Sequence, residues 1–147
     1  DALVTAPLDK AALHAAGVRF PGHTEMLQAL AASPAVAMMM AAERTALGGP
    51  LRVVLATTHL ALRDVPARLT PKLFVEQAEL AHRALRTAWG IPEPRIALCA
   101  VNPHAGDGGL FGDEEARVLA PALAVLRERG FRRTPSSSVR SGENGTW

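Results

Sequence analysis

The sequence predicts an α/β fold, a mostly parallel sheet flanked by helices. Two observations carry this. Three apolar runs of strand length, Ala2–Pro7, Leu51–His59 and Arg95–His104, each end in a polar loop. Between them lie segments with helical spacing and helix punctuation. Strands that alternate with helices favour a parallel sheet, and such sheets build their sites at the carboxyl ends of strands. His59 and His104 stand at two of those ends and are candidates for one crevice.

The elements follow in order. Pro7 stops the first strand, and Asp9 caps a short helix over 10–16 that Gly17 closes. Residues 18–25 form a loop with a Pro21-Gly22 turn, and a helix runs over 24–32. The methionine-rich run 36–42 is a buried strand, separated from the strand at Leu51 by Gly48-Gly49-Pro50. Thr70 as N-cap and Pro71 at the first helical position open a long helix to Trp89, ended by Gly90. Leu73, Ala78, Leu80, Ala81, Ala84 and Leu85 give that helix one apolar side. The strand at Arg95 buries Cys99 and leads into the glycine-rich loop 102–112. A last helix spans 113–129, with Asp113, Glu114 and Glu115 at its positive end. Pro121 kinks or splits it, and Gly130 terminates it. Residues 1–131 read as one domain, and the serine-rich stretch 132–147 as a divergent, disordered tail.

Composition narrows the function classes. With 147 residues, 48% hydrophobic and 20% charged, the chain has enough material for one domain with a core. A net charge of +2 and 4% aromatics offer neither a basic face nor a stacking platform, so no nucleic-acid partner is expected. Arg127, Arg129, Arg132 and Arg133 read as the solvated end of a helix. No run approaches the ~18 apolar residues of a membrane span, and the opening residues do not resemble a signal peptide. A single cysteine excludes an intrachain disulfide and fits a reducing, cytoplasmic setting.

Of five histidines, His14 and His82 fall within helices and suit surface or packing roles. His23, His59 and His104 sit in loops. Neutral imidazole suits zinc and similar metals, so His59 and His104 can supply half of a tetrahedral site, or stiffen their loops by hydrogen bonding. Pro21-Gly22-His23-Thr24-Glu25 puts an imidazole, a hydroxyl and backbone donors near a helix N-terminus, which favours an anion such as phosphate; the alternative is an ordinary N-cap at Thr24. Gly106-Asp107-Gly108-Gly109 is neither a dinucleotide fingerprint nor a P-loop, and its glycines serve equally well as turn residues. Arg63 and Asp64 contact a substrate or pair with each other at the surface.

Four segments taken together closely resemble the 4-hydroxythreonine-4-phosphate dehydrogenase family. They are Asp1 to Lys10; Pro21-Gly22-His23-Thr24-Glu25; Thr57-Thr58-His59-Leu60 with Leu62-Arg63-Asp64; and Asn102-Pro103-His104-Ala105-Gly106-Asp107-Gly108-Gly109. Their order makes the resemblance specific, and it extends from Asp1 to about Phe131. It implies an isocitrate/isopropylmalate dehydrogenase-like fold, here incomplete, working as a homodimer. It implies oxidation of 4-phosphooxy-L-threonine by NAD or NADP, with decarboxylation to 3-amino-2-oxopropyl phosphate, a precursor of pyridoxal phosphate. It also implies a divalent metal, zinc or alternatively magnesium or cobalt, held by three histidines. Two of these match His59 and His104, and His23 and Thr24 match the family's substrate-binding pair.

The third metal histidine, further substrate-holding residues and most of the nucleotide site have no counterpart in this chain, and Asp107 replaces a usual glutamate. The chain therefore reads as a truncated or out-of-frame member, expected to be inactive alone. Three other readings stand beside it. One is a paralogue for a four-carbon sugar-acid phosphate or a cyclic dihydrodiol. Another is a non-catalytic folded remnant that dimerises or binds an anion at His23-Thr24. The last is a metal-dependent hydrolase using Asp64 or Asp107 as base.

Overall fold

The computed structural model describes residues 3–46 and 48–131, and these fall into two compact units that divide between Arg68 and Leu69. In the first unit, helix α1 spans Lys10–Ala15. Asp9 caps it as its sequence position predicts, its side chain accepting from the Ala12 N–H at 2.8 Å. Gly17 follows at φ +80°, the left-handed position that closes a helix. Helix α2 spans His23–Leu30, one residue earlier at its start than the sequence suggests. Its N-cap is Gly22, in extended backbone, so Thr24 is not the cap but lies inside the first turn.

Strand β1 (Met38–Ala42) and strand β2 (Leu51–Leu55) pair antiparallel, with Met38 opposite Leu55 and Ala42 opposite Leu51. Both strands were expected, but β1 is not the buried strand of the sequence reading, since Met40 is 63% exposed, and their parallel sheet was not realised. The eight residues 43–50 between them are too few for a parallel crossover, which needs a dozen or more, but ample for a hairpin. Arg52 steadies the hairpin through both carboxylate oxygens of Glu43, at 2.9 and 3.1 Å. A turn of 3₁₀ helix at Leu62–Asp64 leads into the short helix α3, Val65–Arg68. Arg63 and Asp64 approach each other at 3.8 Å on the surface, the structural alternative of the two sequence readings.

The runs at 3–7 and 95–101 form no ladder among the described residues. A strand exists only through a partner's hydrogen bonds, which an apolar pattern alone does not supply. Leu3 and Val4 are accordingly exposed, and so is Cys99, against the expectation of a buried thiol.

The core of the second unit lies between α4 (Pro71–Thr87) and α5 (Ala120–Glu128). Thr70 caps α4 by accepting from the Leu73 N–H at 3.2 Å, with Pro71 in the first turn, as read from the sequence. The buried face is Phe74, Val75, Ala78, Ala81 and Leu85. Phe74 and Val75 belong to it where the sequence reading favoured Leu73 and Leu80. Val118, Leu119, Ala122 and Leu126 meet that face. Each large apolar side chain buried in this way contributes roughly 1.5–3 kcal/mol. Pro121 does not split the last helix: a π-helical turn at Glu115–Leu119 runs directly into α5, with Pro121 in its first turn. Proline has no N–H for the regular ladder, and a wider turn accommodates the gap. Arg127 and Arg129 end α5 at the surface, where Arg129 Nη1 meets Glu79 Oε1 at 2.6 Å. The stretch 132–147, including Arg132 and Arg133, lies outside the described residues.

Candidate functional site

In the first unit, two of the sequence motifs meet. His59 follows β2 and adopts φ +57°, a left-handed conformation uncommon for a residue with a side chain. Its ring lies against the start of α2. Nδ1 stands 3.5 Å from Glu25 Oε1, an ion-pair distance rather than a formed hydrogen bond. Gly22 is buried beneath the ring: a Cβ there would come within 2.9 Å of His59 Cε1 and 3.3 Å of Glu25 Oε2. Glycine serves here to let the ring approach, since its φ of −172° suits any residue. Among the described residues, buried Glu25 Oε2 has no hydrogen-bond partner.

His23 and Thr24 occupy the first turn of α2, both half-buried. Among the described residues no side chain caps this helix end. Its first N–H groups and the positive end of the helix dipole suit an anion.

In the second unit, His104 lies in the loop that follows 95–101. From His104 to Gly108 the backbone is left-handed at every residue, with φ between +43° and +84°. The glycines therefore act as turn residues. His104 is exposed and faces the Phe111 ring at a centroid distance of 6.3 Å.

Glu115 fastens the start of this loop. Its Oε1 accepts the N–H of Val101 at 2.8 Å and of Asn102 at 2.7 Å, and its Oε2 accepts from Asn102 Nδ2 at 3.0 Å. Asn102 Nδ2 also donates to Glu114 Oε2 at 2.7 Å. Burial pushes the Glu115 carboxyl up, but the hydrogen bonds from the Asn102 side chain, the Asn102 backbone, its own backbone and Val101 outweigh burial and hold it below its ordinary value. Sequence reasoning assigned Glu115 only to the helix dipole and gave Glu25 no role. The one signal for Glu25 was its place in the turn after a glycine that precedes a helix.

A shallow groove of about 690 Å³ beside the C-terminal half of α4, lined by Glu79, His82, Arg83 and Phe131 among others, includes none of the candidate site residues. Among the described residues no group of three or more His, Cys, Asp or Glu is placed to hold a metal ion, and no helix is long and apolar enough to cross a membrane.

The described residues combine helices with a two-stranded sheet, and their likeness to solved dehydrogenase structures places them in an α/β fold. The comparisons with known proteins are specific. The family described as "Pyridoxal phosphate biosynthetic protein PdxA" matches residues 1–137, and the chain belongs to that family. It is 49% identical over 131 residues to a 4-hydroxythreonine-4-phosphate dehydrogenase of Geobacter metallireducens, covering 89% of this chain and 37% of the relative. It is 48% identical over 131 residues to a D-threonate 4-phosphate dehydrogenase of Cupriavidus necator, covering 88% and 37%. The crystal structure of 4-hydroxythreonine-4-phosphate dehydrogenase from Klebsiella pneumoniae superposes with a TM-score of 0.75 at 46% identity, covering 85% of this chain and 36% of that one. The chain thus spans a little over a third of the length of the relatives it matches.

Proposed function

We propose that this chain supplies part of the substrate and metal site of a nicotinamide-dependent dehydrogenase in pyridoxal phosphate biosynthesis. Its substrate is 4-phosphooxy-L-threonine, which is oxidised and decarboxylated to 3-amino-2-oxopropyl phosphate. The observation that carries the reading is the His59 imidazole seated on Gly22 beside Glu25 at the uncapped start of α2, within the stretch that matches the family.

In this reading His23 and Thr24 bind an anionic group of the substrate with the help of the open helix end. His59 and His104 hold a divalent metal, zinc first, with magnesium or cobalt as alternatives. The donor chemistry of His59 fits: a carboxylate at Nδ1 leaves the Nε2 lone pair for an ion. The third histidine of the resemblance belongs to a later part of a whole family member. When bound, such a metal supplies Lewis acidity at the hydroxyl being oxidised. The chain's own residues bind and orient the substrate around it. For NAD or NADP the described residues do not fit. Among the described residues the glycine-rich turn 106–109 is not a dinucleotide fingerprint, so no step through the nucleotide is assigned to this chain. A homodimer with the isocitrate/isopropylmalate dehydrogenase-like fold, acting in the cytoplasm, completes the proposal.

A second reading has its own support. The Cupriavidus necator relative is named for D-threonate 4-phosphate and is nearly as similar as the Geobacter metallireducens one. That compound is a four-carbon sugar-acid phosphate that lacks an amino group.

Calorimetric zinc titration of the full chain beside a His59→Ala/His104→Ala variant tests the metal site. Saturable binding lost in the variant supports it, and identical curves overturn it. Shifts of the His23 and Thr24 amide resonances on addition of 4-phosphooxy-L-threonine or D-threonate 4-phosphate decide between the substrates; no shift with either removes both.

A further inference from the structure

The geometry points to Glu25 as the positioning residue for His59: its carboxylate holds the imidazole at Nδ1 against the start of α2, so that Nε2 is the nitrogen presented to a metal ion. The inference rests on the proposal that His59 is a ligand.

Three observations converge on it. Glu25 Oε1 lies 3.5 Å from His59 Nδ1. Gly22 leaves the space in which ring and carboxylate both lie; an alanine methyl there would collide with His59 Cε1 at 2.9 Å and crowd Glu25 Oε2 at 3.3 Å. Glu25 Oε2 is buried and accepts no hydrogen bond, so the carboxylate is not committed to any other donor among the described residues. Glu25 is itself favoured where it stands, in the first turn of a helix.

The chemistry follows from the two nitrogens of a neutral imidazole. One carries the proton and the other the lone pair, and the hydrogen bond made by one fixes the state of the other. A carboxylate 3.5 Å from Nδ1, within ion-pair reach though short of a formed hydrogen bond, favours the Nδ1–H form and leaves Nε2 as the ligand. Carboxylates that orient a ligating histidine raise metal affinity by about 10–100-fold. They also fix the ring's direction, which matters for His59 because it sits in a loop rather than on a helix.

The test reads the His59 tautomer in the metal-free full chain by long-range ¹⁵N–¹H correlation, and zinc affinity by calorimetry, in the wild type, Glu25→Gln and Glu25→Ala. The expected result is the Nδ1–H form in the wild type. Glu25→Gln retains it, because the amide oxygen still accepts, whereas Glu25→Ala loses it, and zinc affinity falls about 10–100-fold in Glu25→Ala only. Backbone amide spectra establish that each variant is folded, and Glu25→Gln preserves size and shape should Glu25→Ala not fold. An Nε2–H form in the wild type, or a tautomer and affinity unchanged in Glu25→Ala, overturns the inference while His59→Ala still abolishes zinc binding. Zinc binding that survives His59→Ala overturns the ligand proposal, and this inference with it.

Discussion

Glu115 Oε1 accepts the backbone N–H of Asn102 at 2.7 Å, so a helix-entry carboxylate closes the start of the loop that carries His104. The same oxygen takes the Val101 N–H. Glu115→Ala leaves both donors without this acceptor and should destabilise the chain by about 1–3 kcal/mol, read as a lower urea midpoint.

The pH dependence of that strap has a definite sign. Glu115 is held below its ordinary value, so its contribution is fully present above the ordinary unfolded carboxyl value and fades as pH falls through the lower folded value. Glu115→Gln should remove this share of the acid-side slope. Urea midpoints from about pH 5 downwards, compared between wild type and variant, check it.

Gly112 and Gly108 should respond differently to alanine. A Cβ on Gly112 would meet Glu114 Oε2 at 2.5 Å and Asn102 Nδ2 at 2.7 Å, at φ +135°; a Cβ on Gly108 meets nothing within 4 Å, at φ +65°. Gly108→Ala should lose about 1–2 kcal/mol from backbone strain alone, and Gly112→Ala distinctly more. Thermal unfolding of the two variants side by side is the measurement.

His59 holds φ +57° with a β-carbon. His59→Gly and His59→Ala both lose the Glu25 contact, but only alanine keeps the strain. His59→Gly should be the more stable of the pair by about 0.5–1 kcal/mol after allowance for glycine's greater unfolded freedom, as measured by chemical denaturation.

In the second unit, Leu126 is 5% exposed against α4, whereas Leu62 in the first is 89% exposed. Leu126→Ala should cost about 2–5 kcal/mol and Leu62→Ala less than about 0.5 kcal/mol in the same assay.

What the sequence disclosed was local. Asp9, Thr70 with Pro71, and Gly17 announce helix ends through short-range chemistry, and each acts where it was read, whereas Pro121 is passed by a π-helical turn without a break. The apolar patterns at 38–42 and 51–55 also gave strands. The pairing of those strands depends on loop length, which an apolar pattern does not register. The runs at 3–7 and 95–101 depend on partners that pattern cannot supply. At the candidate site, the motif residues His23, Thr24 and His59 were legible as residue types in loops. The seating of His59 on Gly22 was not, because it joins positions 37 apart through a left-handed backbone turn.

The loop at 104–108 has one more consequence. Five successive residues there trace the mirror image of ordinary right-handed backbone. At Ala105 and Asp107 the L-configuration is therefore the strained enantiomer, and a D-residue would sit at ease. The loop is exposed apart from Gly106, yet it offers a protease no extended L-peptide. Cleavage has to wait for the turn to unwind, and Glu115 ties down the backbone that leads into it.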